Sequence, residues 1–346
     1  MADLLKLNRL QMSSGGEISL VLPEKTVGML LGDADSGSDR LLRMVAGLYP
    51  FEEGEIFLRG DLIAREGKQP PPWEREIAFV PAQASFYPHL NVLENLKVAV
   101  KPHTSRNRRR YCLRMLAEMG LEEYANLYPS ELTAEELRYL LVARAMLTRP
   151  ALLLLEEPLA PLESDAQIDF IRHLPLMLEP FNCGVLISTA LQGEVRFAAD
   201  WAGVMEHELL LQWDRPIDLY RTPKKRGVAH YMGEGVLIKG VVHDELRLDT
   251  ELGMVEHPTG FGLPTGSRIE LLIRPEDIVF DERSRRRARI VQRSAQGGKT
   301  VYQLQLTPEI EMERAFSSHL DERISGELRY RLEIRFMVLF KRRAVE

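Results

Sequence analysis

The stretch VGMLLGDADSGSDRLLRMVAGL, residues 27–48, constrains the fold more than any other part of the chain. A continuous apolar run, the pattern of a buried strand, ends at Gly32, and a second glycine follows at Gly37. Beyond it Leu41, Leu42, Val45 and Leu48 recur at helical spacing up to Gly47 and Pro50. Strand, glycine loop and helix form the frame of a phosphate-binding loop, in which backbone N–H groups and a helix N-terminus cradle anionic oxygens. That frame asks for Lys and then Ser or Thr after the second glycine. Ser38 and Asp39 stand there instead, so the charge is reversed.

The surrounding sequence extends this frame into an α/β domain. EISLVLP, GEIFLRG and EIAFV read as further strands joining the sheet, residues 91–147 as mainly helical, and LLLL at 152–155 and GVLIST at 184–189 as buried parallel strands. Strands separated by helices imply right-handed crossovers and a mainly parallel sheet covered on both faces. From Gly235 the rhythm changes to short alternating runs, GVLIKGVV, LRLDT, RIELLIR, KTVYQLQL and FMVLFKR, which predict a small β-rich domain over 235–346. The basic stretch RSRRRAR at 283–289 reads as a solvated loop, GKT at 298–300 as a turn, and the Phe51 and Trp73 regions as packing.

Charge and cysteine usage exclude several functions. A net charge of −6 speaks against a broadly basic surface, and no nucleic-acid partner is expected. Cys112 and Cys183 supply neither a disulfide framework nor a metal-ligand cluster, His89 and His103 have no ligand-spaced companions, and no metal site is assigned. No apolar stretch reaches the length of a spanning helix and the N-terminus lacks the order of a signal peptide, so a cytoplasmic protein is expected.

Longer segments carry a family resemblance. LLRMVAGLYPFEEGEIFLRG, REIAFVPAQASFYPHLNVLENL, YPSELTAEELRYLLVARAMLTRPALLLLEEPLAPLE, QWDRPIDLYRTP and RIELLIRPEDI occur in the order and at the distances seen in the ATP-binding subunits of ABC importers, which the chain resembles along almost its whole length. The iron, sulfate, polyamine and sugar classes are the most similar. The resemblance implies a P-loop-type ATPase domain over 1–234, with a helical subdomain at about 84–147, followed by an OB/TOBE-like β domain over 235–346.

It also implies a nucleotide site at Gly32, Asp33, Asp35, Gly37, Ser38, Asp39, Gln83 and Glu156, with Glu157 as the catalytic carboxylate, and here the residues depart from the family. Ser38 replaces the phosphate-binding Lys, Asp39 the magnesium-binding Ser or Thr, and Glu156 the magnesium-binding Asp. The glutamine-loop position falls on Ala82, with Gln83 one place late and so on the opposite side of an extended segment. The signature LSGGQ is LTAEE at 132–136, the switch His is Ala190, the D-loop reads APLE at 160–163, and NRLQMSSGGE has no aromatic residue to stack on adenine. Of the side chains the family uses on nucleotide, Glu157 is kept, beside the loop glycines Gly32 and Gly37.

These losses can be weighed. A carboxylate about 5 Å from a triphosphate charge costs roughly 3 kcal/mol per unit pair at an effective dielectric near 20, and a lost aromatic stack removes about 1–3 kcal/mol. The reading is a degenerate, non-hydrolysing subunit with no cofactor expected, acting as scaffold or regulator at the inner face of the membrane. Its implied partners are a permease subunit, an intact ATPase subunit, or both, as a dimer. Tyr87, Pro88 and Leu90 are candidates for the permease-docking surface, with internal packing as the alternative. Because both the phosphate loop and the signature are altered, pairing with an intact subunit leaves both composite sites defective. Two other readings stay open: a working importer ATPase using ATP and Mg to import iron, sugar or another small solute, and a free-standing sensor whose β domain or acidic cleft binds a cation or oxyanion. Convergence of Asp33, Asp35, Asp39, Glu156 and Glu157 would make such a cleft a cation site; a solvated acidic cleft is the preferred reading of these residues.

Overall fold

The computed structural model describes residues 2–13, 15–100, 107–191, 197–257, 260–296, 298–324 and 326–342. His103 lies outside them. Two compact units emerge, Met1–Leu219 and Tyr220–Glu346.

The first unit runs β1 (Asp3–Gln11), β2 (Glu17–Pro23), β3 (Val27–Leu31), α1 (Ser38–Ala46), β4 (Glu55–Leu58), β5 (Asp61–Arg65) and β6 (Ile77–Val80). Three helices follow, α2 (Val92–Ala99), α3 (Arg108–Glu118) and α4 (Ala134–Met146). The unit then completes its sheet with β7 (Leu152–Glu156), α5 (Ser164–Leu178), β8 (Gly184–Thr189), β9 (Trp201–Glu206) and β10 (Leu209–Asp214). The central sheet has the order β10-β9-β3-β8-β7-β6, all parallel except β10. Every residue of β3, β7 and β8 is buried, as their unbroken apolar runs require of strands covered on both faces. The tips of these strands and α1, which packs on β7 and β8, create the cleft discussed below.

One expectation fails here. EISLVLP and GEIFLRG do not join the parallel sheet; they form a separate antiparallel sheet of order β2-β1-β4-β5. Their apolar alternation fixes a buried face but not a partner, and β1, which organises this sheet, is masked in sequence by register shifts and by Arg9 at φ 49°. Phe51 is core, whereas Trp73 is 75% exposed and packs little, contrary to expectation.

Helix α6 (Pro216–Arg221) spans the boundary between the units, and the second unit continues with α7 (Arg226–Met232). The strand rhythm starts at 235, but packing places 220–234 with this unit, because Ala229 of α7 lies against Leu272, Val338 and Phe340. One sheet comprises β11 (Val236–Val242), β12 (Arg247–Thr250), β13 (Gly253–Glu256), β14 (Arg268–Ile273) and, at the far end of the chain, β20 (Leu339–Lys341), in the order β13-β12-β11-β14-β20. The other comprises β15 (Ile278–Phe280), β16 (Arg287–Gln296), β17 (Lys299–Thr307), β18 (Ile310–Ser317) and β19 (Glu327–Leu332), in the order β15-β19-β16-β17-β18. Both share one core around Ile238, Leu271, Tyr302 and Tyr330, giving an all-β, barrel-like domain. The basic stretch at 283–289 is only partly a loop: Arg287 to Arg289 open β16, and Arg286 donates to the carbonyls of Leu252 and Met254. Gly298 is a turn, as expected, and Lys299 begins β17.

Candidate functional site

The loop between β3 and α1 is shaped by its glycines and serines. Gly37 caps α1 at φ 86°, a conformation open to glycine at no steric cost, and a Cβ there would meet Glu208 Cγ at 2.8 Å. Ser36 folds back over Gly32, where an added Cβ would lie 2.4 Å from the serine's own. Ser38, at the lysine position, is buried, and its hydroxyl meets Ser36 Oγ at 3.2 Å. The loop thus carries a small internal hydroxyl pair where a long cation would project.

Around it lies an open cleft of about 630 Å³ lined by Asp35, Gly37, Asp39, Arg40, Arg43, Tyr49, Glu156 and Glu208 among others. Four of these side chains are carboxylates and two are guanidinium groups. Each acidic group with a family counterpart is engaged from within. Asp39 Oδ1 accepts from Ser188 Oγ at the tip of β8 at 2.5 Å. Glu156, 2% exposed at the tip of β7, pairs through Oε1 with Arg43 Nη2 and accepts the Ala82 N–H on Oε2 at 3.3 Å. Arg43 also donates to Tyr49 Oη at 3.2 Å. Its pKa is held above the usual guanidinium value by that hydrogen bond and, against the opposing pull of burial, by the Glu156 carboxylate.

Glu157 turns out of this cleft. It sits at φ 43°, and its carboxylate accepts from the Ala190 N–H at 2.7 Å and from Thr189 Oγ1 at 3.2 Å. Burial raises its pKa more than these hydrogen bonds lower it, with the charges of Asp39 and Glu156 adding to the rise. Gln83 and Asp33 are exposed and do not line the cleft. The five carboxylates do not all converge, which counts against the rival cation-site reading: Asp35, Asp39 and Glu156 line one cleft, Asp33 and Glu157 do not. Among the described residues no group of three or more His, Cys, Asp or Glu side chains is set to hold a metal ion.

Four participants had weak or no sequence signals. Arg43 stands four residues after Asp39, a helical pairing distance, yet it reaches β7 instead. Ser36 and Ser188 are small polar residues at ends of strands and loops. Glu208 belongs to the β9–β10 turn, where it and His207 both take positive φ (62° and 49°); its N–H donates to Ser36 O at 2.8 Å and its carboxylate accepts from Arg40 at 3.2 Å.

Two further segments are well defined. LTAEE forms the N-terminus of α4 as a capping box: Thr133 Oγ1 accepts from the Glu136 N–H and Glu136 Oε2 from the Thr133 N–H. Residues 85–91 are held by the fully buried Asn95, which accepts from the Tyr87 N–H and donates to the carbonyls of Tyr87, Leu90 and Asn91. Arg144 donates to Ser85 O and lies over the Phe86 ring. The result is a groove lined by Phe86, Tyr87, Val98 and Arg144, with Tyr87 49% and Val98 56% exposed. Pro88 and His89 are exposed and Leu90 is half-buried.

Residues 16–160 match the ABC transporter family. The first unit is an ABC transporter domain. An iron(III) import ATP-binding protein of Pectobacterium atrosepticum is 28% identical over 81% of each chain. A spermidine/putrescine import ATP-binding protein of Bacteroides fragilis is 30% identical over 72% of this chain and 53% of its own. A molybdate/tungstate import ATP-binding protein of Pyrococcus horikoshii is 28% identical over 76% of this chain and 74% of its own. Among solved structures, the ADP conformation of an ABC transporter cassette matches this ABC transporter domain and its surroundings with a TM-score of 0.57 at 18% identity, over 68% of this chain and all of that one. A cassette of the CbiONQ complex from Clostridium perfringens gives 0.55 at 19% identity, over 64% and 91%. At such identities these structures carry the fold.

Proposed function

We propose that the chain is a degenerate ATP-binding-subunit homologue that does not hydrolyse ATP and serves as a scaffold or regulatory subunit of a membrane import complex. The observation that carries this reading is the Arg43–Glu156 pair: the carboxylate at the family's magnesium position already holds a cation from its own chain. Three features support it. Ser38 offers no positive charge to a phosphate, Asp39 repels one, and the signature-position Thr133 and Glu136 satisfy each other as a helix cap. Phosphoryl transfer depends on positioned cations and an oriented water, and Glu157, which would orient that water, is bonded to the Thr189–Ala190 segment.

On this reading the groove of Phe86, Tyr87 and Val98 is where a permease helix would seat, and the protein would work at the inner face of the membrane, as a dimer with itself or with an intact subunit. No described helix is long and apolar enough to cross a membrane. The relatives' names, all import ATP-binding proteins, favour one rival, a hydrolysing subunit for iron, a polyamine or an oxyanion. Turnover decides between them. The expected result is no magnesium-dependent phosphate release by the purified chain; release that Glu157→Gln abolishes would establish the rival.

A further inference from the structure

The two oxygens of Glu156 are claimed by two different parts of the first unit. Oε1 takes the Arg43 guanidinium from the last turn of α1, and Oε2 accepts the backbone N–H of Ala82, two residues beyond β6. Three residues further on, Ser85 begins the segment that forms the Phe86–Tyr87–Val98 groove. A single carboxylate thus ties α1, the tip of β7 and the root of the groove together.

A carboxylate this deeply buried requires a compensating charge, since an ion taken out of water without one is strongly disfavoured. Where that charge is a dissociable ion, the tie is present only while the ion is bound. Here it is covalently part of α1, whose Leu41, Leu42 and Val45 are fixed in the core, so the guanidinium cannot leave. Tyr49 holds the guanidinium from its other side, leaving Nη2 aimed at Glu156.

We infer that Arg43 is a built-in cation, a positioning residue that acts through Glu156 to hold the 82–87 segment in its docking shape with neither nucleotide nor divalent ion present. The inference rests on the scaffold reading for its use, because a groove held permanently in shape suits a subunit whose assembly is not gated by ATP. Its geometry is independent of that reading. Asn95 and Arg144 fix the distal part of the segment at Tyr87 and Ser85, so the Arg43 dependence belongs to its root, Ala82 to Ala84.

Hydrogen–deuterium exchange of the intact chain, read on peptides spanning 78–90, tests this in the wild type, Arg43→Met and Arg43→Lys, each with and without millimolar Mg-ATP. The wild type is expected to show the same protection at Ala82, bonded to Glu156, and Ala84, bonded to Pro81 O, with and without Mg-ATP. Arg43→Met is expected to exchange there about tenfold faster or more, Arg43→Lys to recover most of the protection, and peptides of α5 and of β11–β14 to stay unchanged. Unchanged exchange in Arg43→Met, or wild-type protection that develops only with Mg-ATP, would overturn the inference. Should Arg43→Met fail to fold, Glu156→Gln keeps an acceptor for Ala82 but not the ionic hold; it is expected to speed exchange at the same amides, and no change there overturns the inference equally. Calorimetric binding of Mg-ATP together with unaltered protection would remove the scaffold reading and leave the built-in cation standing.

Discussion

Each unit of this protein has an arginine committed to internal bonds, and the two are committed in opposite ways. In the second unit Arg274, 5% exposed, donates through Nη1 to the carbonyls of Ala229, Gly233 and Glu234 and stacks over the Tyr220 ring. These are backbone dipoles at the C-terminal end of α7, and burial among them pulls the guanidinium pKa down. In the first unit Arg43 meets a full carboxylate at the edge of an open cleft, and its pKa is held up. The first arrangement is a brace: it satisfies backbone acceptors at a helix end. The second consumes a charge that a ligand of this fold would otherwise meet. The contrast separates an arginine that builds structure from one that occupies a site.

Arg274→Met should have the largest effect on stability. It takes this donor from the buried Ala229 carbonyl and from the part-buried carbonyls of Gly233 and Glu234, at about 1–3 kcal/mol for a buried group and less for the others, so a loss of about 3 kcal/mol is expected in the urea unfolding of the second unit. Arg43→Met should cost about 2 kcal/mol in the first unit; the figure for breaking a buried pair, about 3–5 kcal/mol, is discounted because the Arg43 side chain is 35% exposed. If the order were reversed, with Arg43 the more costly, the distinction between brace and site would fail.

Glu157 sharpens the comparison as a half-buried carboxylate held by an amide and a hydroxyl. Its folded pKa is raised, so the folded state binds its proton more tightly than the unfolded state, where it titrates near about 4.3. The stability it contributes is full below that value and is lost as pH rises through the folded pKa. Glu157→Gln, which keeps an oxygen acceptor for Ala190, is therefore expected to raise the melting temperature slightly at pH 7 to 8, with the gain disappearing below about pH 4. A constant gain across this range would assign the effect to packing instead of charge.

How far the sequence reaches is plain from particular residues. The apolar runs of β3, β7 and β8, which turn polar only at the tips of β7 and β8, announce strands buried on both faces, and Gly37 announces a left-handed turn into a helix; both depend only on neighbours in the chain. The one-place offset of Gln83 also had a local meaning, since it turns the side chain outward and leaves the Ala82 N–H facing Glu156. What stayed hidden depends on distant partners. The pairing of β1 with β2 and β4, the approach of Glu208 to Ser36, and the choice of Arg43 for Glu156 instead of Asp39 are each settled by surfaces contributed from far along the chain. Asp39 is instead taken by Ser188, 149 residues away. Local spacing gives no access to such choices, and in this cleft they decide which charges remain for a ligand.

The central claim is that the cleft is satisfied from within and holds no nucleotide. Calorimetric titration of the intact chain with Mg-ATP to millimolar concentration tests it most directly, with the Ser38→Lys, Asp39→Thr double variant alongside as the loop with its cation and hydroxyl restored. The expected result is no binding heat for the wild type and measurable, weak binding for the variant. Micromolar binding by the wild type would contradict the claim and make the chain a nucleotide-binding import subunit.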